Sequence, residues 1–139
     1  MTARGIVLSA IALGAGILWM SYHQNHKTPT VQSIDQARAE ARLDHKVLMV
    51  EFEADWCSDC LALSRNLQER DIRDYLARHV EALHLDVGQF NRNLDIARYL
   101  GVDVNQGIPA AVFFLPGHVP AVRKIGNAQI LAYIRQLEE

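Results

Sequence analysis

Cys57 and Cys60 are the only cysteines in the chain, and they stand in the run Trp56-Cys57-Ser58-Asp59-Cys60. Three residues apart on a helix, the two sulfurs share one face. A strand-forming run, Val47 to Ala54 (VLMVEFEA), precedes the pair. A helix-forming run follows it from Cys57 to about Gln68, with Leu61, Leu63 and Leu67 apolar. At such a junction Cys57 meets unpaired backbone N–H groups and the positive end of the helix dipole, which favour a thiolate. A pair so placed can run a two-step exchange. Cys57 attacks a substrate disulfide, a mixed disulfide forms, and Cys60 resolves it. Zinc knuckles and inert structural disulfides also use Cys-x-x-Cys. No second such pair and no histidine at finger-like spacing follows, which counts against metal. Redox exchange is therefore the leading reading, with a structural disulfide and metal binding as the others.

The elements that must position this pair follow from period and punctuation. Ser33-Ile34-Asp35-Gln36 fits a capping box and predicts a helix to about Leu43. Val47 to Ala54 predicts a buried strand carrying Glu51 and Glu53. Asp71 predicts the cap of a short helix through His79. Val80 to Val87 predicts a strand with Val80 and Ala82 alternating against Glu81 and Leu83. Asn91 or Asn93 predicts the start of a helix stopped at Gly101. Ala110 to Leu115 is a second buried strand, Pro116-Gly117 a turn, and Val119 to Ile125 its antiparallel partner. A last helix starts at Gly126-Asn127, with Ile130, Leu131, Ile134 and Leu137 at helical spacing. The order helix, strand, helix, helix, strand, helix, strand, strand, helix implies an α/β domain, a mixed sheet flanked by helices.

The first stretch stands apart. Gly5 to Met20 is apolar and uncharged, behind a short basic flank ending at Arg4. It reads as an N-terminal hydrophobic helix spanning residues 1–22, either a signal-anchor or a cleaved signal peptide. No small-x-small site follows the apolar run, and Trp19 and Tyr22 sit where an interfacial belt would, so the anchor is favoured. Residues 23–30 make a linker and 31–139 the domain. Either reading exports the domain, so the expected location is the periplasmic side of the inner membrane, where an oxidising compartment meets the cysteines. Length and composition exclude a multidomain enzyme or a disordered chain: 139 residues, 50% hydrophobic, 22% charged. A net charge of -2 gives no basic field for nucleic acid.

With its motifs in hand, the sequence resembles the thioredoxin superfamily. The matching pieces are Val50-Glu51-Phe52-Glu53-Ala54-Asp55-Trp56-Cys57-Ser58-Asp59-Cys60 and, later, Gly107-Ile108-Pro109-Ala110. The form Ala-Asp-Trp-Cys-x-x-Cys looks most like the C-terminal periplasmic domain of the disulfide reductase DsbD and its single-domain, membrane-anchored relatives. The resemblance implies a thioredoxin-like fold over roughly residues 31–139. It implies Cys57 as nucleophile and Cys60 as resolving thiol, a redox-active disulfide when oxidised. It implies Pro109 as the cis proline facing them, and Ile108 as the residue whose backbone pairs with substrate. Glu51 takes the place of the family's buried acid and would accept the proton of Cys60 through water. Trp56 would shape the substrate rim.

The departures bear on direction. Ser58-Asp59 replaces the usual Gly-Pro, and Glu53 stands where an aromatic residue is common. Glu51, Glu53, Asp55 and Asp59 crowd the motif, and from Glu51 onward no Lys or Arg occurs until Arg65. Negative charge disfavours a thiolate, so Cys57 is expected to be less acidified than in strong disulfide oxidants, which points to a reductant. Ala82 falls near the usual lysine partner of the buried acid. His79 and His84 read as surface or strand-end residues, and Asp103 to Gln106 as a lengthened loop beside the substrate groove. The expected activity is reduction of protein disulfides by a monomer without cofactor or bound metal. Electrons would come from a membrane thiol–disulfide donor. A dithiol metallochaperone for copper and a redox-inert interaction module are the alternatives.

Overall fold

The computed structural model describes residues 28–117 and 120–139. The N-terminal hydrophobic segment and most of the linker lie outside these residues. Among the described residues no helix is long and apolar enough to cross a membrane. The elements in order are α1 (Val31–Leu43), β1 (Val47–Glu53), α2 (Ser58–Leu67), α3 (Arg70–His79), β2 (Val80–Asp86), α4 (Leu94–Tyr99), a 3₁₀ turn (Val104–Gln106), β3 (Ala110–Phe114), β4 (Val122–Ile125) and α5 (Asn127–Glu138). They build a mixed four-stranded sheet in the order β2-β1-β3-β4. β1 and β2 are parallel, so α2 and α3 form the crossover between them. β3 runs antiparallel to both β1 and β4.

β1 lies inside the sheet with helices over both faces, so Val47 through Phe52 are all buried. Its alternate residues feed two cores. Leu48, Val50 and Phe52 pack with Ile34 and Ala41 of α1 and Ile96 and Ala97 of α4. Val47 and Met49 pack with Leu63 and Leu67 of α2, Phe113 of β3 and Ile130 and Ile134 of α5. Glu51 belongs by alternation to this second row and is the one buried charged residue described.

Several boundaries differ from the sequence expectation. The capping box forms between Thr30 and Ser33, not from Ser33 onward. The Thr30 N–H donates to Ser33 Oγ at 2.8 Å, and the Ser33 N–H donates to Thr30 Oγ1 at 3.1 Å. Both hydroxyls can cap; the one in extended backbone does. α3 begins at Arg70, with Asp71 inside its first turn. Asn93 occupies the N-cap of α4, but in left-handed backbone (φ 54°), and its side chain donates instead to the Asp86 carbonyl at 2.8 Å. In β2 Val80 is buried, whereas Ala82 is exposed. β2 is the sheet edge, and Ala82 borders an open cavity rather than the core. β4 is described from Val122, with Val119 outside the described residues.

Candidate active site

The turn Ala54–Trp56 connects β1 to α2 and delivers Cys57 to the N-cap of that helix. The Cys57 N–H donates to the Ala54 carbonyl at 3.0 Å, which closes the turn. Cys57 and Cys60 are bonded to each other through sulfur, with Cα atoms 5.2 Å apart. The Cys60 N–H donates to Cys57 Sγ at 3.1 Å. A sulfur that caps a helix in this way is a better anion than one in water, because an otherwise unpaired amide points at it. Both cysteines are nearly buried, Cys57 at 6% exposure and Cys60 at 2%. Substrate therefore meets the edge of Cys57 first.

Across from the pair, Cys57 Sγ lies 3.5 Å from the Ile108 carbonyl oxygen. The Ile108–Pro109 peptide is cis. Its loop is tied at both ends. The Gly126 N–H donates to the Pro109 carbonyl at 2.7 Å. Asp103 Oδ1 accepts from the Asn105 N–H at 3.1 Å, capping the turn of Val104–Gln106. The lengthened loop expected here is thus a folded turn anchored by buried Val104.

Trp56 is half exposed. Its Nε1–H donates to the Gly88 carbonyl at 2.8 Å, and its ring meets Phe90 edge-on, with centroids 5.5 Å apart. Phe90, in a loop without periodicity, escaped the sequence reading. Gly88 makes the contact possible. It sits at φ +56°, and a Cβ there would fall 2.5 Å from Asn91 Oδ1. Gly88→Ala should therefore cost about 1–2 kcal/mol from left-handed backbone alone. The midpoint of chemical denaturation reads this, and an unchanged midpoint would show that the loop relaxes around the methyl.

Glu51 stands on the sheet face that α2 covers. Cys60, Leu63 and Leu67 share one face of α2, and Leu63 and Leu67 rest on the Val47–Met49 row that Glu51 continues toward the site. Glu51 is 1% exposed. Its Oε2 faces His84 Nδ1 at 3.1 Å, while Oε1 is buried without a partner. His84 Nδ1 also lies 3.8 Å from Glu53 Oε1. His84 is at the surface, as its sequence suggested, but its pairing with the buried acid is unforeseen; the acid's neighbour is His84, not a residue at Ala82. A signal existed. The parallel register pairs Val47 with Val80, and Glu51 and His84 each stand four residues beyond.

The charges follow from these contacts. The hydrogen bond to Glu51 raises the His84 pKa above the ordinary histidine value; burial opposes this, and attraction to Glu51 and Glu53 adds to it. Burial, then repulsion from Glu51, raises the Glu53 carboxyl, with Asp55 and Asp86 adding and His84 opposing. Among the described residues Glu51, Glu53 and His84 are the group whose side chains converge closely enough to consider for a metal ion. Their geometry is that of an ion pair. Nδ1 lies within ion-pair distance of both carboxylates.

The thioredoxin-like family model matches residues 30–116. No curated protein matches the chain. Among solved structures, a disulphide isomerase from Xylella fastidiosa Temecula1 is 25% identical, with a TM-score of 0.65 over 82% of this chain and 99% of that one. Chloroplastic thioredoxin z is 29% identical, with a TM-score of 0.52 over 75% of this chain and 88% of that one. A DsbH oxidoreductase, 21% identical over 72% of this chain and 77% of that one with a TM-score of 0.55, shares the fold. These likenesses do not single out the DsbD domain. The matched span contains the cysteine pair, the first three strands and the Ile108–Pro109 loop, and the chain belongs to the thioredoxin-like family.

Proposed function

We propose that the chain is an extracytoplasmic thiol–disulfide oxidoreductase that reduces protein disulfides. The observation that carries this is Cys57 at the N-cap of α2, its sulfur bonded to Cys60, accepting the Cys60 N–H and facing the Ile108 carbonyl. Cys57 attacks, Cys60 resolves, Glu51 accepts the Cys60 proton, and Ile108 with Trp56 borders the bound peptide. The acidic surroundings support the reducing direction. Asp55 and Asp59 are exposed beside the pair, and Glu53 is partly buried in the same strand as Glu51. A thiolate among acids is less stabilised, so its disulfide is a weaker oxidant. The uncharged run Gly5 to Met20 would anchor the chain in the inner membrane, close to a membrane thiol–disulfide donor.

Equilibrating the full-length chain, in detergent, with a dithiol buffer tests the direction. The expected reduction potential is near that of thioredoxin, about -270 mV. A value near about -120 mV would make the protein a disulfide-forming oxidase instead.

A further inference from the structure

The two ends of the Glu51–His84 pair face different surroundings. Both line an open cavity of about 510 Å³ between β1, β2, α2 and α3, but the Glu51 side chain is almost wholly buried at its floor, whereas the His84 side chain is half exposed. Solvent protons reach His84 directly, and His84 is the polar group in contact with the carboxylate. We propose that His84 is a positioning residue that sets the pH at which Glu51 can take the proton of Cys60. This rests on the reading of Cys57 and Cys60 as a reducing pair with Glu51 as proton acceptor.

The physical cause is charge at short range. A carboxylate facing an imidazolium is a poorer proton acceptor than one facing a neutral imidazole, because the positive charge stabilises the anion. The contact is 3.1 Å and one partner is out of water, so screening is weak. In the resolving step the Cys60 S–H bond breaks and its proton goes to Glu51. The Cys60 sulfur bonds to Cys57 Sγ, the Cys57–substrate S–S bond breaks, and the substrate sulfur leaves as a thiolate. The protein dithiol is oxidised to the disulfide and the substrate disulfide is reduced. A charged His84 therefore slows the resolving step, and a neutral His84 does not.

The groups facing His84 are mostly acidic. Glu51 and Glu53 approach from β1, and Asp86 stands on its own strand. Arg73 of α3 lines the same cavity but pairs with Asp74 at 3.1 Å, and Ser64 of α2 and Gln68 just after that helix are uncharged. His84 therefore holds its proton above the ordinary histidine range, and resolution should quicken as pH rises through that titration.

Two variants separate the charge from the shape. His84→Gln removes the charge at every pH, and His84→Lys keeps it throughout the neutral range. Reduced full-length protein in detergent is mixed with a disulfide-bonded model peptide. Single-turnover formation of the Cys57–Cys60 disulfide is followed from about pH 5.5 to about pH 9, across the histidine range. Ionisation of Cys57 affects all three proteins alike, so the ratio of variant to wild type isolates His84. His84→Gln should be about tenfold faster than wild type at the acid end and equal at the alkaline end. His84→Lys should be equal at the acid end and about tenfold slower at the alkaline end. Ratios that do not change with pH would overturn the role of His84 and leave the oxidoreductase reading standing. A wild type that never reduces the peptide would overturn both.

Discussion

Replacing Cys57 by serine should reduce disulfide turnover by at least roughly a thousandfold, to the uncatalysed background. The hydroxyl is a far weaker nucleophile than a thiolate, and the one cysteine left, Cys60, is 2% exposed and out of a substrate's reach. Cys60→Ser should behave differently, although its steady-state turnover falls as far. The backbone amide that points at Cys57 Sγ belongs to residue 60 and survives the substitution. Cys57 therefore keeps its activation and still attacks, but no thiol resolves the product. Mixed disulfides should accumulate as species that run larger on a non-reducing gel and collapse with dithiol. The double variant should be no worse than Cys57→Ser alone, because residues that act as one unit do not contribute additively. Full turnover with either cysteine replaced would reduce the pair to a structural disulfide. Loss of bound copper rather than of turnover would favour the metallochaperone.

Much of this arrangement was legible in the residues. Among the described residues the nine helices and strands occur in the order their periodicities predict, because each carries a local signal: the unbroken apolar run of AAVFF, the helical spacing of Ile130 and Ile134, the strand formers ahead of Cys57. What local signals miss is what depends on pairing across the chain. His84 looks like a strand-end histidine until β2 is laid beside β1 in register; then it becomes the partner of the most buried charge. Ala82 fits an alternating core pattern, and only the edge position of β2 leaves it exposed. Phe90 meets Trp56 because the glycine at 88 turns the loop back on itself, which no periodicity encodes. Choosing between Thr30 and Ser33 as the cap depends on which one adopts extended backbone, and both hydroxyls satisfy the composition rule. The roles of Ile108 and Pro109 came from family resemblance rather than from periodicity, since a loop before a strand carries no pattern of its own.

Glu51→Leu should make the domain more stable and the proposed reaction slower. Glu51 Oε1 is buried without a hydrogen-bond partner, and such a group costs about 1–3 kcal/mol relative to an apolar side chain of similar shape. Leucine fits the surroundings, because Met49, Leu63 and Phe113 already form that core. His84, half exposed, can turn to water when its partner is gone. A gain of about 1–3 kcal/mol in denaturation is expected. The resolving step should meanwhile slow by about a hundredfold, the lower range for loss of a general base. Glu51→Gln separates shape from chemistry. It keeps the size and an acceptor for His84 but cannot take a proton, so it should be as slow as leucine without the full gain in stability. A Glu51→Leu variant that is less stable and equally active would mean that the carboxylate serves the fold. The opposite result would explain why a lone acid persists in an otherwise apolar row. A sequence that holds a buried acid against its own stability, on the sheet face covered by the helix that carries the cysteines, would be keeping it for the proton it can carry.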